Sequence, residues 1–450
     1  SARYDSCEGG AAKPGTTAVY GGHSHVGTMI YNGDNWPAIY RDHLFTHNLH
    51  GHQLNHQHMV RTGSGYETFH AGYDLLYSSA PDYIPVDLQT GPDGAVYVID
   101  WTDTQHCHNP DDEKWDRSNG CIYRISWKET YKPLKVPDWT GRDLVAIQLN
   151  EIAPNSDSKD FATLDRDWCR RMSRRMMHEG KFFINDQERT HGADYRYPRQ
   201  YAKALVDQSL SPEEQVRLLW CARSLLRGDY AEWLPSVFER AAKNDSDMVR
   251  SWAIQLATED HSGSSLYATT LLKLAQTDPS PTVRLALASA LPNLDAKTVW
   301  EVASGLAMHG EDKDDRFLPK MIWFGLARVI ADDWERGLAL AEKTPMPSLA
   351  DSIRWFAGKS AEGREALMKT LKTTRDLKLL AFSLKDEAAV KMPTGWGQVR
   401  SDMSDQPDAS YLVRQLSALF GDQTVLAEMR ALLADTTQPL PQRKAAFDLL

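Results

Sequence analysis

Two hydrophobic periods divide the chain. Up to Trp127 apolar and polar residues alternate over short runs, as in AVYVID (Ala95–Asp100) and CIYRISW (Cys121–Trp127). That alternation puts every second side chain on one face of a strand. Pro92-Asp93-Gly94 stands just before the first run and signals a tight turn. GTMIY (Gly27–Tyr31) and HLFTHNL (His43–Leu49) predict two more strands, and nothing from Ser1 to Trp127 sustains a helical period. Short strands cut by turn clusters predict an all-β sandwich, barrel or propeller.

From Asp167 onward the period becomes helical. A Val-Arg pair recurs at a similar point of successive segments, around Arg217, Arg250 and Arg284, spaced 33 and then 34 residues apart. The series continues less cleanly at Lys320 and Asp351, matches again at Arg443, and has a first copy at Arg171. Val249, Ala253, Leu256 and Ala257 share one helix face, as do Val283, Leu287, Ala290 and Leu291. A lone helix pair cannot bury such a stripe, but stacked neighbours can. The expected fold class is therefore multidomain, all-β plus all-α, with a HEAT-like α-solenoid as the second part. The expected boundaries are 1–134 for the β part, 135–164 for a Pro-rich and polar linker around the short helical pattern RDLVAIQL, and 165–450 for the solenoid.

Composition narrows the classes. A chain of 450 residues suggests two or three domains, and 42% hydrophobic with 25% charged residues suits a globular protein. A net charge of -10 and a pI near 5.8 argue against nucleic-acid or anionic-membrane partners, which need a basic face. No apolar run reaches the length of a transmembrane span. The start without Met and the close inside a helical pattern read as a piece of a longer polypeptide, truncated within its solenoid. Five cysteines without CxxC or CxxCH place no zinc or c-type haem motif in this piece. Cys107 and Cys121 flank one loop, as a disulfide or as two thiols.

Candidate chemistry lies in the first part. Eleven of the fifteen histidines precede residue 109. His50 with His52, and His56 with His58, have the parity to share a strand face and bind a metal, yet no known ligand spacing is matched. Surface or hydrogen-bonding roles are the alternative for His43, His47, His56, His58 and His70. In the loop after Ala95–Asp100, Asp100 and Asp103 are candidate Ca²⁺ ligands, and Arg117 can fix an anionic group. An Asp100–Arg117 pair stapling a long loop is the equal alternative.

HVGTMIYNGDNWPAIYRDHLFTHNLHGHQLN, followed by PVDLQTGPDGAVYVIDWTD and WDRSNGCIYRISW, resembles the final propeller blades of the large membrane-bound-dehydrogenase-like proteins of planctomycetes and verrucomicrobia. Those blades resemble the sorbosone and soluble glucose dehydrogenases. DDRFLPKMIWFGLARVI and the W-x-x-R-x-x-x-R of Trp168 to Arg175 resemble the HEAT-like segment that follows. The resemblance implies the C-terminal blades of a β-propeller, pyrroloquinoline quinone (PQQ) with Ca²⁺ as cofactors, and an exported, periplasmic or membrane-associated protein. It also implies a c-type haem module in a further C-terminal segment. On this reading a sugar or related alcohol is oxidised and electrons pass to a cytochrome. His23 or His25 is the base, His50, Asp100, Arg117 and Asn119 hold the cofactor, and Asp100 and Asp103 hold the metal. The family's RPVD is IPVD here, with Ile84 in place of an arginine. The alternative is a non-catalytic propeller–solenoid scaffold for carbohydrate or protein partners, the helical half offering the protein-binding surface.

Overall fold

The structure, a computed structural model, describes residues 25–49, 51–103, 118–127, 134, 136, 139, 141–148, 164–179, 210–225, 234–259, 264–403, 406 and 408–450. The chain divides into two compact units, 1–241 and 242–450. Antiparallel sheet comes first and helices follow, as the two periods predict. No helix among the described residues is long and apolar enough to cross a membrane.

The first unit opens with two antiparallel sheets. In one, β1 (His25–Tyr31), β2 (His43–Asn48), β3 (Gln53–Thr62) and β4 (Gly65–His70) follow one another in simple order, and the short β5 (Leu76–Tyr77) also pairs with β3. The other runs β6 (Pro85–Thr90), β7 (Val96–Asp100), β8 (Cys121–Ile125). All four expected strands are present. β1 begins two residues earlier than GTMIY, and β2 stops at Asn48, where the side chain accepts the Gly51 N–H at 2.9 Å and turns the chain.

Alternation supplies the core between the sheets. Tyr31, Phe45 and Leu54 from the first sheet meet Leu88, Val96 and Val98 from the second, joined by Trp36 and Tyr40. The Trp36 ring stacks on Tyr31 at 4.6 Å. Tyr31 Oη donates to the Gly94 carbonyl at 2.8 Å and accepts the Trp36 N–H at 2.7 Å, so a buried hydroxyl is satisfied on both sides. Gly94 is the turn glycine of Pro92-Asp93-Gly94. Its φ of +74° and the Asp165 carboxylate 2.7 Å from where a Cβ would stand both require glycine.

Four helices follow among the described residues of this unit: α1 (Gly141–Gln148), formed by the short pattern RDLVAIQL, α2 (Arg166–His178), α3 (Pro212–Leu225) and α4 (Leu234–Ala241). Asp165 caps α2 by accepting the Trp168 N–H at 2.8 Å, and its second oxygen accepts the Asp34 N–H at 2.7 Å. One carboxylate thus starts a helix and ties it to the sheet loops. Leu144, Ile147, Cys169, Met177 and Leu218 form a separate apolar cluster here.

The second unit is helical throughout its described residues: α5 (Asp247–Thr258), α6 (Ser264–Thr277), α7 (Pro281–Ala290), α8 (Ala296–Leu306), α9 (Leu318–Leu326), α10 (Trp334–Lys343), α11 (Pro347–Lys359), α12 (Ala361–Met368), α13 (Thr374–Ser383), α14 (Trp396–Met403), α15 (Ser410–Leu419), α16 (Gln423–Ala434) and α17 (Leu440–Asp448). α5, α7, α9, α11, α13 and α15 pack in order as one row, with α6 on α8 and α10 on α12 in a second.

The repeated Val-Arg pair has a physical basis in this unit. Val249 and Val283 are buried in the row, while Arg250 and Arg284 reach an aspartate 28 residues on, Asp278 and Asp312, with two hydrogen bonds each. Arg284 also donates to the Asp278 carbonyl at 2.8 Å, linking the two pairs. Lys320 is exposed and Asp351 pairs outward with Arg375, so these weaker copies do not occupy the same environment.

Candidate functional site

A cleft of about 420 Å³ opens in the first unit beside the end of β7 and the edge strand β8. Its lining includes Tyr77, Asp82, Tyr83, Asp100, Tyr123 and Ile125. Tyr123 stands opposite Val98 on the inward face of β8, yet 44% of it stays exposed because no described strand pairs beyond β8. The Tyr83 and Tyr123 rings lie 5.9 Å apart at 59°. Burial pushes the Tyr83 phenol up. Tyr123 is pushed up to about 12, first by its hydrogen bond with the Cys121 side chain and then by burial. Both phenols therefore keep their protons near neutral pH.

Asp100 is 2% exposed and its oxygens are well supplied with donors. Oδ1 accepts the Ile84 N–H at 2.7 Å and the Thr102 N–H at 3.0 Å, while Oδ2 accepts the Thr102 hydroxyl at 2.7 Å. Thr102 has a φ of +52°, an unfavourable region for a β-branched residue, and these bonds hold it there. Trp101 N–H adds a bond to the Ile84 carbonyl at 2.8 Å. Asp100 thus ties the start of β6 to the end of β7. Its described partners are backbone groups, Thr102 and the Tyr123 hydroxyl, while Arg117, the partner expected for a loop staple, lies outside the described residues.

The other candidates are scattered. His23, His50 and Arg117 lie outside the described residues. His25 begins β1 in the other sheet, its Nδ1 3.3 Å from Thr46 Oγ1, and burial lowers its pKa. Asp103 is buried and Asn119 exposed, on either side of the long β7–β8 connection. Ile84, where the sorbosone-type propellers that the sequence resembles have an arginine, is 2% exposed. Ca²⁺ takes six to eight oxygen ligands. Among the described residues no three His, Cys, Asp or Glu side chains are grouped to hold a metal, and Asp100 already accepts three hydrogen bonds. The described donors alone therefore do not complete a Ca²⁺ site, and His50 and Arg117, expected to hold PQQ, lie outside the described residues.

Three histidines form a chain that strand parity revealed in part. His56 and His58 do share a face of β3, and His43 on neighbouring β2 stands between them. His43 Nδ1 lies 2.7 Å from His56 Nε2, and His43 Nε2 lies 3.1 Å from His58 Nδ1. The two contacts use opposite nitrogens of one ring, so the rings make a hydrogen-bonded chain and do not converge on one point. The His56 ring also stacks on Phe45 at 4.8 Å. Burial, with neighbouring histidines, lowers His56 to about 4; burial lowers His47 to about 4 as well. The hydrogen-bonding alternative describes these residues. His43 could have been added from sequence only with the register Leu44 opposite Gln57. His52 bonds the Tyr83 carbonyl at 2.6 Å from a turn with φ of +51°, and His70 bonds Asp74 at 3.1 Å. Cys121 carries a free, exposed thiol. Tyr83 and Tyr123 were not singled out in the sequence, because nothing local marks a tyrosine as cleft-lining.

A domain of unknown function, DUF7133, matches residues 15–129, the part of the chain that contains both sheets and the cleft. No curated protein matches the chain.

Proposed function

We propose that the chain is the closing part of a β-propeller joined to a HEAT-like α-solenoid, and that it serves as a binding scaffold with a neutral saccharide in the Tyr83–Tyr123 cleft. The observation that carries this reading is the division of labour in the cleft. Its buried carboxylate, Asp100, accepts bonds from the chain's own backbone and from the Tyr123 hydroxyl, while the rings of Tyr83 and Tyr123 remain beside open volume. Aromatic faces suit polyhydroxylated rings. The propeller part is supported by two simple meanders whose first strands, β1 and β6, pack on each other, as the inner strands of adjacent blades do. The two-row packing of α5 to α15 supports the solenoid part.

The test is calorimetric titration of the protein with a panel of neutral mono- and disaccharides. The expected result is saturable binding to part of the panel, weakened about tenfold or more in Tyr123→Ala. Silence across the panel counts against the scaffold in this form.

One observation favours a second reading, an extracytoplasmic sugar or alcohol dehydrogenase that passes electrons to a cytochrome. Burial holds the His25 imidazole neutral, the form a general base requires. Dye reduction that depends on PQQ, Ca²⁺ and a sugar, and that falls in His25→Ala, would establish it.

A further inference from the structure

We propose that the exposed face of α9, α11 and α13 is a docking surface for an extended acidic segment of a partner protein. This inference stands apart from the cleft and does not depend on its ligand.

Three aromatic residues occupy equivalent places on these successive helices. Phe324, Trp355 and Phe382 each lie two positions after a fully buried aliphatic residue, Ile322, Ile353 and Leu380. Phe324 is 58% and Phe382 56% exposed, and Trp355 is half-buried. α9 packs on α11 and α11 on α13, so the three aromatics stand on consecutive helices of one row. Large side chains exposed singly are ordinary, but a periodic row of aromatics is a common form of binding surface.

The charge on these helices is opposite to that of the chain. Their carboxylates are Asp351 and Asp376, and both are paired, with Arg375 and Arg354. Lys320, Lys359 and Lys378 are exposed and have no carboxylate partner among the described residues. Lys359 lies over the Trp355 ring at 5.6 Å, and Lys385 over Phe382 at 5.0 Å. Asp386 and Glu387, in the turn after α13, mark the end of the basic strip. The neighbouring second row differs: α10 and α12 carry Glu335, Glu342, Glu362 and Glu365 against Arg336, Lys343 and Arg364. A protein of net charge -10 therefore keeps a local basic and aromatic strip on one row.

The spacing indicates the shape of the occupant. Packed helices stand about 8–10 Å apart, and a polyproline II segment rises about 3.1 Å per residue with three residues per turn. Every third residue of such an extended segment falls on one side and can meet one aromatic, with Asp or Glu between to face the lysines. A nucleic acid is disfavoured by the overall negative charge, which opposes a polyanion beyond the strip.

The experiment uses the 450-residue chain and three labelled probes followed by fluorescence anisotropy. One is a peptide of four Asp-Glu-Leu repeats, one has the same composition with its leucines bunched, and one is oligothymidylate of equal length. The expected result is saturable binding of the repeat peptide, at least about tenfold tighter than the other two and weakened by salt. Phe382→Ala and Lys378→Glu each reduce it about tenfold, while Lys369→Glu, on the second row's side and paired with Glu335, leaves it unchanged. The substituted side chains are exposed, and circular dichroism checks that the helices persist. No binding of the repeat peptide, equal binding of the bunched peptide, or insensitivity to Phe382→Ala would overturn the proposal. Preferred binding of oligothymidylate would replace it with a nucleic-acid surface.

Discussion

Arg284 and Asp312 face each other through two parallel hydrogen bonds, 2.5 and 2.6 Å, with both side chains almost wholly out of water. This pairing is bidentate, and its cost and benefit differ from those of a surface ion pair. Removing one partner leaves the other charge buried, which costs about 3–5 kcal/mol. Arg284→Ala should therefore lower the stability of the helical unit by that amount in denaturant titrations followed by circular dichroism. Arg375→Ala, which breaks the exposed pair with Asp351, should cost under about 1 kcal/mol. Equal effects would mean that burial does not set the strength of these pairs.

Stability should fall on mild acidification. His47 and His56 are buried, and burial lowers both to about 4, below the usual histidine value of 6.5. The unfolded chain takes up these protons below pH 6.5, whereas the folded chain does so only near 4. Their stabilisation is complete above about pH 6.5, declines as pH falls from 6.5 toward 4, and changes no further below that. Replacing the titrating ring in His56→Phe should flatten part of this slope. A wild-type stability that is level from pH 7 to 4 would refute it.

The two roles weighed for Asp100 predict opposite outcomes. As a backbone staple, Asp100→Ala leaves the Ile84 and Thr102 N–H groups without acceptors, at about 1–3 kcal/mol each. Asp100→Asn retains a carbonyl acceptor and should be much milder. Thermal unfolding of the two variants separates the cases: a carboxylate kept as a Ca²⁺ ligand would instead leave the stability of the metal-free protein unchanged in both while Ca²⁺ binding disappears.

Gly94→Ala should cost more than about 1 kcal/mol. Its positive φ and the nearby Asp165 oxygen and Asn35 nitrogen leave no place for a Cβ. Asp165→Ala should cost about 1–2 kcal/mol through loss of the α2 cap. Chemical denaturation of each variant measures these effects, and a neutral Gly94→Ala would show that the turn relaxes without penalty.

Much of the architecture was legible because it rests on period. Ala95–Asp100 and Cys121–Trp127 alternate strongly enough to place β7 and β8, and the Val-Arg spacing marks the buried pairs at Arg250 and Arg284. Their aspartates, Asp278 and Asp312, were not legible, since nothing near either arginine indicates a partner 28 residues away. The site was less readable still. Parity joins His56 with His58, but bringing in His43 requires the β2–β3 register. The cleft depends on Tyr83 and Tyr123 coming together from before β6 and from β8, a tertiary relation without a local pattern. Asp100 could be identified as special from its place at a strand end, but its partners could not.

The arginine–aspartate pairs also differ in exposure along the row of helices. The arginine side chain is 11% exposed at Arg250, 2% at Arg284, 18% at Arg354 and 61% at Arg375. Water competes more strongly for Arg375 than for Arg284, so ion pairing contributes less to holding α11 and α13 together than it does at α7. High salt would therefore screen the contacts of the helical unit unevenly, reaching the Arg375 pair and leaving the Arg284 pair almost untouched.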